Sequence, residues 1–160
     1  MTDRVRKVTA LLIALLLCYG AAAVGGLLGA GAGGGWYADL AKPAWTPPSW
    51  VFGPVWSVLY GMMAVAAWLV WRQRPRRRGA APLAAFAAQL AFNAAWSPLF
   101  FGLHRPGIAF ADIVLLWLAL VATVWLFLRR RALAGLLLVP YLLWVSFAAA
   151  LNCAIWRLNA

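Results

Sequence analysis

Few residues in this chain could do chemistry, and nearly all of them sit inside apolar runs. Gln89, Asn93 and Trp96 fall at i, i+4 and i+7, so a helix places them on one face. Trp56 and Tyr60 are four apart and share a face in the same way. Pro140, Tyr141 and Trp144 lie close together further on, with Asn152 two turns beyond. An indole N–H away from water needs an acceptor, and a primary amide offers both a donor and an acceptor. Such a set suits stacking and hydrogen bonding of a large, flat, mostly apolar molecule in a pocket. The same amides also serve as plain glue between helices. Asp112 has two readings as well. An acid within an apolar span points to function, while its place less than two turns into its helix suits packing at the positive end of the helix dipole.

Other chemistries lack their parts. There is one histidine, His104, and no CxxC, phosphate-binding glycine loop or carboxylate pair. Hydrolytic or redox catalysis by ordinary side chains is therefore not expected, and neither is a metal site or a haem attachment of the CxxCH type. No cofactor is required. Cys18 and Cys153 lie far apart in apolar stretches and read as small buried hydrophobes.

The elements that must position these residues follow from composition. Of the 160 residues, 66% are hydrophobic and 11% charged, too much apolar surface for a soluble globule to hide. The fitting solvent is lipid. A hydrocarbon core needs about 20 apolar helical residues per crossing. Five segments qualify, at about 8–30, 51–71, 80–101, 107–128 and 132–156. Without period-2 alternation they are helices, and the expected fold is an all-α integral membrane protein, one five-transmembrane-helix bundle in a single domain. Eleven tryptophans need a home in it. Trp68, Trp71, Trp125 and Trp156 lie near span ends and suit an interfacial belt. Trp56, Trp96, Trp117 and Trp144 lie mid-span, where a belt does not explain them.

Lys and Arg outnumber acids by fourteen to three, but they cluster between spans. With no aromatic-basic stripe or zinc-finger spacing, no nucleic-acid partner is expected. Eleven of the fourteen fall on one side, at Arg4, Arg6, Lys7, Arg72, Arg74, Arg76, Arg77, Arg78 and Arg129 to Arg131. Lys42, Arg105 and Arg157 fall on the other. The positive-inside rule puts the first group in the cytoplasm, and an even number of spans would scramble the split. Those clusters serve topology and anionic lipid before any partner protein. Residues 1–24 also match the outline of a signal peptide, but the apolar run continues past an ordinary h-region to Gly29. Between the first two spans, residues 31–49 open with Gly31, Gly33, Gly34 and Gly35 and then carry Pro43, Pro47 and Pro48. The glycines end the first helix and the prolines bar another, which predicts a stiff, extended, lid-like cover.

Small residues mark close helix contacts. Gly25, Gly29 and Gly33 have GxxxG spacing, and the third span carries Ala80, Ala84 and Ala88 beside Ala87, Ala91 and Ala95. Either stripe suits packing within one chain or between two.

Read together, certain residues form a signature. Trp36-Tyr37, Leu40, Lys42-Pro43, Trp45, Pro47-Pro48 and Trp50 resemble the first loop of the TspO/MBR family, the translocator or tryptophan-rich sensory proteins, also called peripheral benzodiazepine receptors. The likeness continues through Val55-Trp56-Ser57, Leu59-Tyr60, Gln89-Leu90, Asn93, Trp96-Ser97-Pro98 and Phe100-Phe101-Gly102. It resumes at Ala111-Asp112, Val139-Pro140-Tyr141-Leu142, Trp144 and Leu151-Asn152, spanning all five helices in order.

The resemblance implies a homodimer, through the alanine stripe of the third span, that binds porphyrins or haem and ligands of the isoquinoline and benzodiazepine types. It implies a cavity beneath the first loop lined by Trp36, Trp56, Asn93, Trp96 and Trp144, with Tyr60 close by. Lys42, Pro43, Pro47, Pro48 and Asp112 then hold the lid or the frame. The function it implies is tetrapyrrole transport or the sensing of light, oxygen or stress. The alternatives are Trp-dependent photooxidative porphyrin degradation, an enzyme-like role, and a ligand-gated regulator of a partner protein. Two departures stand out. Cys153 occupies the central Tyr position of the cholesterol-recognition pattern of animal members, which weakens the expectation of sterol binding there. Ile108 replaces a Trp often found before the fourth-span acid, and ligands stacking at that place should lose about 1 kcal/mol. Frequent Ala and Arg fit a GC-rich bacterium, and both its inner and its outer membrane stay open.

Overall fold

The computed structural model describes residues 2–30, 35–73 and 80–160. Five of its helices are long and apolar enough to cross a membrane, and the described residues contain no strand. These are α1 (Asp3–Ala30), α3 (Phe52–Trp71), α4 (Ala80–Ser97), α5 (Pro106–Arg130) and α6 (Ala132–Leu158). A one-turn helix, α2 (Trp36–Asp39), lies between the first two.

α1 begins at Asp3, five residues before the apolar run suggests. Asp3 pairs with Arg6 at 3.1 Å and with Lys7 at 2.5 Å, one turn on, so the helix extends beyond the hydrocarbon on charged residues. Helix α5 starts on Pro106 at its first position, where a missing N–H costs nothing. Pro140 sits inside α6, which continues through it to Leu158.

The helices close a ring. α1 packs on α3 and α4, α3 on α6, α6 on α5, and α5 on α4. A large core fills the ring, centred on Met63, Leu116, Leu120, Phe127, Leu138 and Tyr141. A smaller cluster of Phe100, Ala109, Leu151 and Ile155 lies at the end from which the first loop springs.

α4 does not end as an ordinary α-helix. Its last turn, Pro98–Gly102, is π-helical, with the Leu103 N–H donating to the Pro98 carbonyl at 2.9 Å. Gly102 permits this close to α1, since a Cβ there would stand 3.2 Å from the Leu28 carbonyl oxygen. His104 follows with φ of 53°, a left-handed backbone that a non-glycine residue adopts at a cost of about 1–2 kcal/mol.

The first loop departs from expectation. Instead of an extended run, Trp36–Asp39 fold into α2, where Ala38 and Asp39 N–H groups donate to the Gly35 carbonyl at 3.0 and 3.2 Å. The prolines bar helix only where they stand: residues 41–48 are irregular, and Ser49–Val51 forms a 3-10 turn into α3. Gly31, Gly33 and Gly34, the Gly29–Gly33 spacing, and Arg74, Arg76, Arg77 and Arg78 lie outside the described residues.

Candidate functional site

Two tyrosines and two amides meet at mid-bundle. The Tyr60 hydroxyl donates to Asn93 Oδ1, Asn93 Nδ2 donates to the Tyr141 hydroxyl at 2.9 Å, and Tyr141 donates to Gln89 Oε1 at 3.0 Å. All four are buried. Helical spacing put Gln89 and Asn93 on one face of α4. The ring then brings Tyr60 from α3 and Tyr141 from α6 against it. Tyr19 of α1 adds a bond to the Ser57 carbonyl at 2.8 Å, with its ring 6.1 Å from that of Tyr60. Asn93 is thus committed on both sides to tyrosines. The chain is left with Gln89 Nε2, which is buried and has no hydrogen-bond partner among the described residues.

Trp56 lies on this network, its ring 5.5 Å from Tyr60 and 6.0 Å from Tyr141. Trp96 packs against both cores. Its indole N–H donates to Asn152 Oδ1 at 2.9 Å, and Asn152 Nδ2 donates to the Pro106 carbonyl at 2.8 Å, tying α4, α6 and the start of α5. Trp117, also mid-span, donates to Ser146 Oγ at 2.8 Å and faces partly outward. These amides and indoles therefore knit helices together. Trp68 and Trp125 lie under Arg72 and Arg129, at 4.5 and 4.3 Å, as interfacial side chains do.

Trp144 differs from the other mid-span indoles. Its Nε1 is buried and has no hydrogen-bond partner among the described residues. Its ring lies 5.8 Å from Phe52 and 5.5 Å from Phe147, and Phe147 meets Trp45 of the first loop at 5.7 Å. A buried N–H donor left over beneath the loop is costly unless something accepts from it. Asp112 is also buried, with Oδ2 unpartnered among the described residues.

The loop closes over the smaller core. Trp36 stacks on His104, with centroids 4.3 Å apart and planes 22° off parallel, and meets Phe100 edge-on at 5.8 Å. Tyr37 meets Phe100 and Phe101 edge-on, and burial there pushes its phenol above the ordinary value. Lys42 holds the turn shut. Its ammonium donates to the carbonyls of Tyr37, Ala38 and Leu40 at 2.6, 3.0 and 2.9 Å and lies over the Tyr37 ring. A cation at the exposed carbonyls of a helix end suits both their charge and their lone pairs. From the far end of the chain, Asn159 clasps Ala41: the Ala41 N–H donates to Asn159 Oδ1, and Asn159 Nδ2 donates back to the Ala41 carbonyl, both at 2.9 Å.

The expected site residues thus fall into two neighbouring groups. Trp56, Tyr60 and Asn93 form one around the tyrosine network, while Trp36 joins the core under the loop and Trp96 touches both. Trp144 bridges from the large core to the loop through Phe52 and Phe147. Pro43 accepts from Thr46 through both backbone and hydroxyl, making the turn before Pro47 and Pro48. Ile108 lies half-exposed in the first turn of α5. Tyr19, Phe52, Phe147 and Asn159 carry no sequence signal of their own. Their parts depend on which helices the ring makes neighbours.

Comparison with known proteins agrees with this architecture. Residues 13–157 match the TspO/MBR family. The chain is 42% identical over 154 residues to the protein CrtK of Rhodobacter capsulatus, covering 96% of this chain and 94% of that one. It is 43% identical over 126 residues to the translocator protein of Homo sapiens, covering 78% and 75%. To the tryptophan-rich sensory protein of Cereibacter sphaeroides it is 44% identical over 124 residues, covering 78% and 77%.

Proposed function

The chain belongs to the TspO/MBR family of multi-pass membrane proteins, and on that premise we propose that it binds porphyrins among its buried indoles, beneath the first loop. The observation that carries this reading is the Trp144 indole N–H, a buried donor without an acceptor among the described residues, set among the rings of Phe52 and Phe147. A tetrapyrrole brings the missing parts: a wide apolar face for the rings and acceptor atoms for the N–H. Trp56, next to the tyrosine network, offers the second stacking surface, and Trp36 with Lys42 forms the cover. Asn93 is held by Tyr60 and Tyr141, so a ligand engages it only by displacing one of those bonds. Benzodiazepine and isoquinoline ligands share the flat, apolar chemistry and fit the same reading. A homodimer through α4 is part of it, since Ala84 and Ala88 lie exposed on that helix. The biological role is tetrapyrrole transport or the sensing of light, oxygen or stress.

Quenching of intrinsic fluorescence by protoporphyrin tests the site. Trp144→Phe keeps the ring and removes only the donor, and should weaken binding about 5–10-fold. Trp56→Ala should cost more, and unchanged affinity in both variants would remove these residues from the site. A second reading, light-driven porphyrin breakdown, draws on the oxidisable pair of Trp56 and Tyr60 with rings 5.5 Å apart. Illuminated turnover in wild type that disappears in Trp56→Phe, with binding retained, would favour it.

A further inference from the structure

Apart from the aromatic site, a cleft of about 570 Å³ opens on the outer face of the bundle between α1, α3 and α4. Its shape follows from one close contact. At Gly25 a Cβ would stand 3.4 Å from the Ala94 carbonyl oxygen, so α1 and α4 touch there. From there the cleft runs between them toward the basic end of the bundle. Ala10 and Ala14 line one wall, Ala87 and Ala91 the other, and Ala67 and Trp68 of α3 the floor. Between the larger Ile13, Leu17, Leu83 and Leu90 that also line it, these alanines leave the space open. From Arg6 to Ala21 the cleft follows α1 for about 22 Å at the helical rise, roughly the depth of one leaflet with its interface.

The mouth is cationic. Arg6 lines it. Lys7 is the next residue, and its carbonyl accepts from the Trp68 indole at 2.8 Å, which fixes the end of α1 to α3. Arg72 lies over the ring of that indole, 4.5 Å from the centroid. Asp3 is the acid that faces them, bonded to Arg6 and Lys7. It engages one guanidinium nitrogen of Arg6, leaving further donors on a group that presents five. Three cations against one acid leave net positive charge where the cleft meets the headgroup layer.

We propose that this cleft seats one anionic phospholipid of the cytoplasmic leaflet, its phosphate at Arg6 and Arg72 and one acyl chain along Ala10, Ala14 and Ala91. A second copy of this chain is the poorer occupant, because a symmetric contact would set the same basic cluster against itself. The lipid brings opposite charge at the mouth and a thin, flexible chain for an apolar cleft. Ala84 and Ala88, exposed on the same helix, do not line the cleft.

Native mass spectrometry of the full chain, released from nanodiscs of phosphatidylglycerol and phosphatidylcholine mixed equally, tests the seat. The expected result is one tightly retained lipid, phosphatidylglycerol over phosphatidylcholine by about tenfold or more, each basic side chain contributing roughly fivefold. Arg6→Glu with Arg72→Glu should abolish the preference. Ala91→Trp should remove the retained lipid while leaving protoporphyrin quenching unchanged, which separates this seat from the aromatic site. Equal retention of the two lipids, a preference that survives the double charge reversal, or lipid retained by a folded Ala91→Trp protein would each overturn the proposal. So would a disulfide between two chains carrying Ala14→Cys, since it would place a second copy in the cleft.

Discussion

Asn93 is the residue on which the mid-bundle network turns. Its amide accepts from one tyrosine and donates to another, so three helices depend on one side chain. Removing it leaves two buried hydroxyls short of a partner. Asn93→Leu should therefore lower stability by about 1–2 kcal/mol, the upper part of the range for hydrogen bonds inside membranes, read as an earlier thermal transition in detergent. Tyr141→Phe should cost about as much, because Gln89 then loses its only bonded contact among the described residues. If the two losses add in the double variant, the residues do not act as one network, since coupled partners lose less together than separately. Trp144 stands apart from this economy of bonds. Its N–H contributes no hydrogen bond among the described residues, so Trp144→Phe should leave the thermal transition nearly unmoved while it weakens ligand binding.

Among the elements, the first loop has the least core of its own. It holds its shape through the three carbonyls on Lys42, the Asn159 clasp and the stacking of Trp36 on His104. These contacts lie on the cover and not between spanning helices. Lys42→Met or Asn159→Ala should therefore speed amide exchange across residues 36–42 and raise both association and dissociation rates of a ligand held beneath. The thermal transition of the bundle should move little. Unchanged exchange in both variants would show that ring packing alone holds the loop. The prolines made the irregular stretch of residues 41–48 legible in the sequence. The single turn of α2 was not, because it depends on Lys42 reaching back to carbonyls that no periodic pattern marks.

At the scale of the whole molecule, the exposed alanine face of α4 is the place where a second chain can approach closely. On the homodimer proposed through α4, Ala84→Leu with Ala88→Leu should shift photobleaching in nanodiscs from two steps to one without loss of porphyrin quenching; an unchanged step count would overturn a dimer through this face. The span count, the all-helical class and the grouping of polar residues on helix faces were set by the sequence itself. A chain this apolar has only lipid to satisfy it, and in lipid the backbone must close its own hydrogen bonds. Gln89 and Asn93 likewise shared a face by helical spacing alone. Which residues face each other across the bundle was decided only in the tertiary structure. The order of helices around the ring joins Tyr60, Asn93 and Tyr141, spends the Trp96 N–H on Asn152, and leaves that of Trp144 over. Helical periodicity fixes the direction of a side chain along its own helix. It carries no information about which neighbour stands opposite, because apolar faces of similar width pack with little preference until donors and acceptors from different helices are brought within reach.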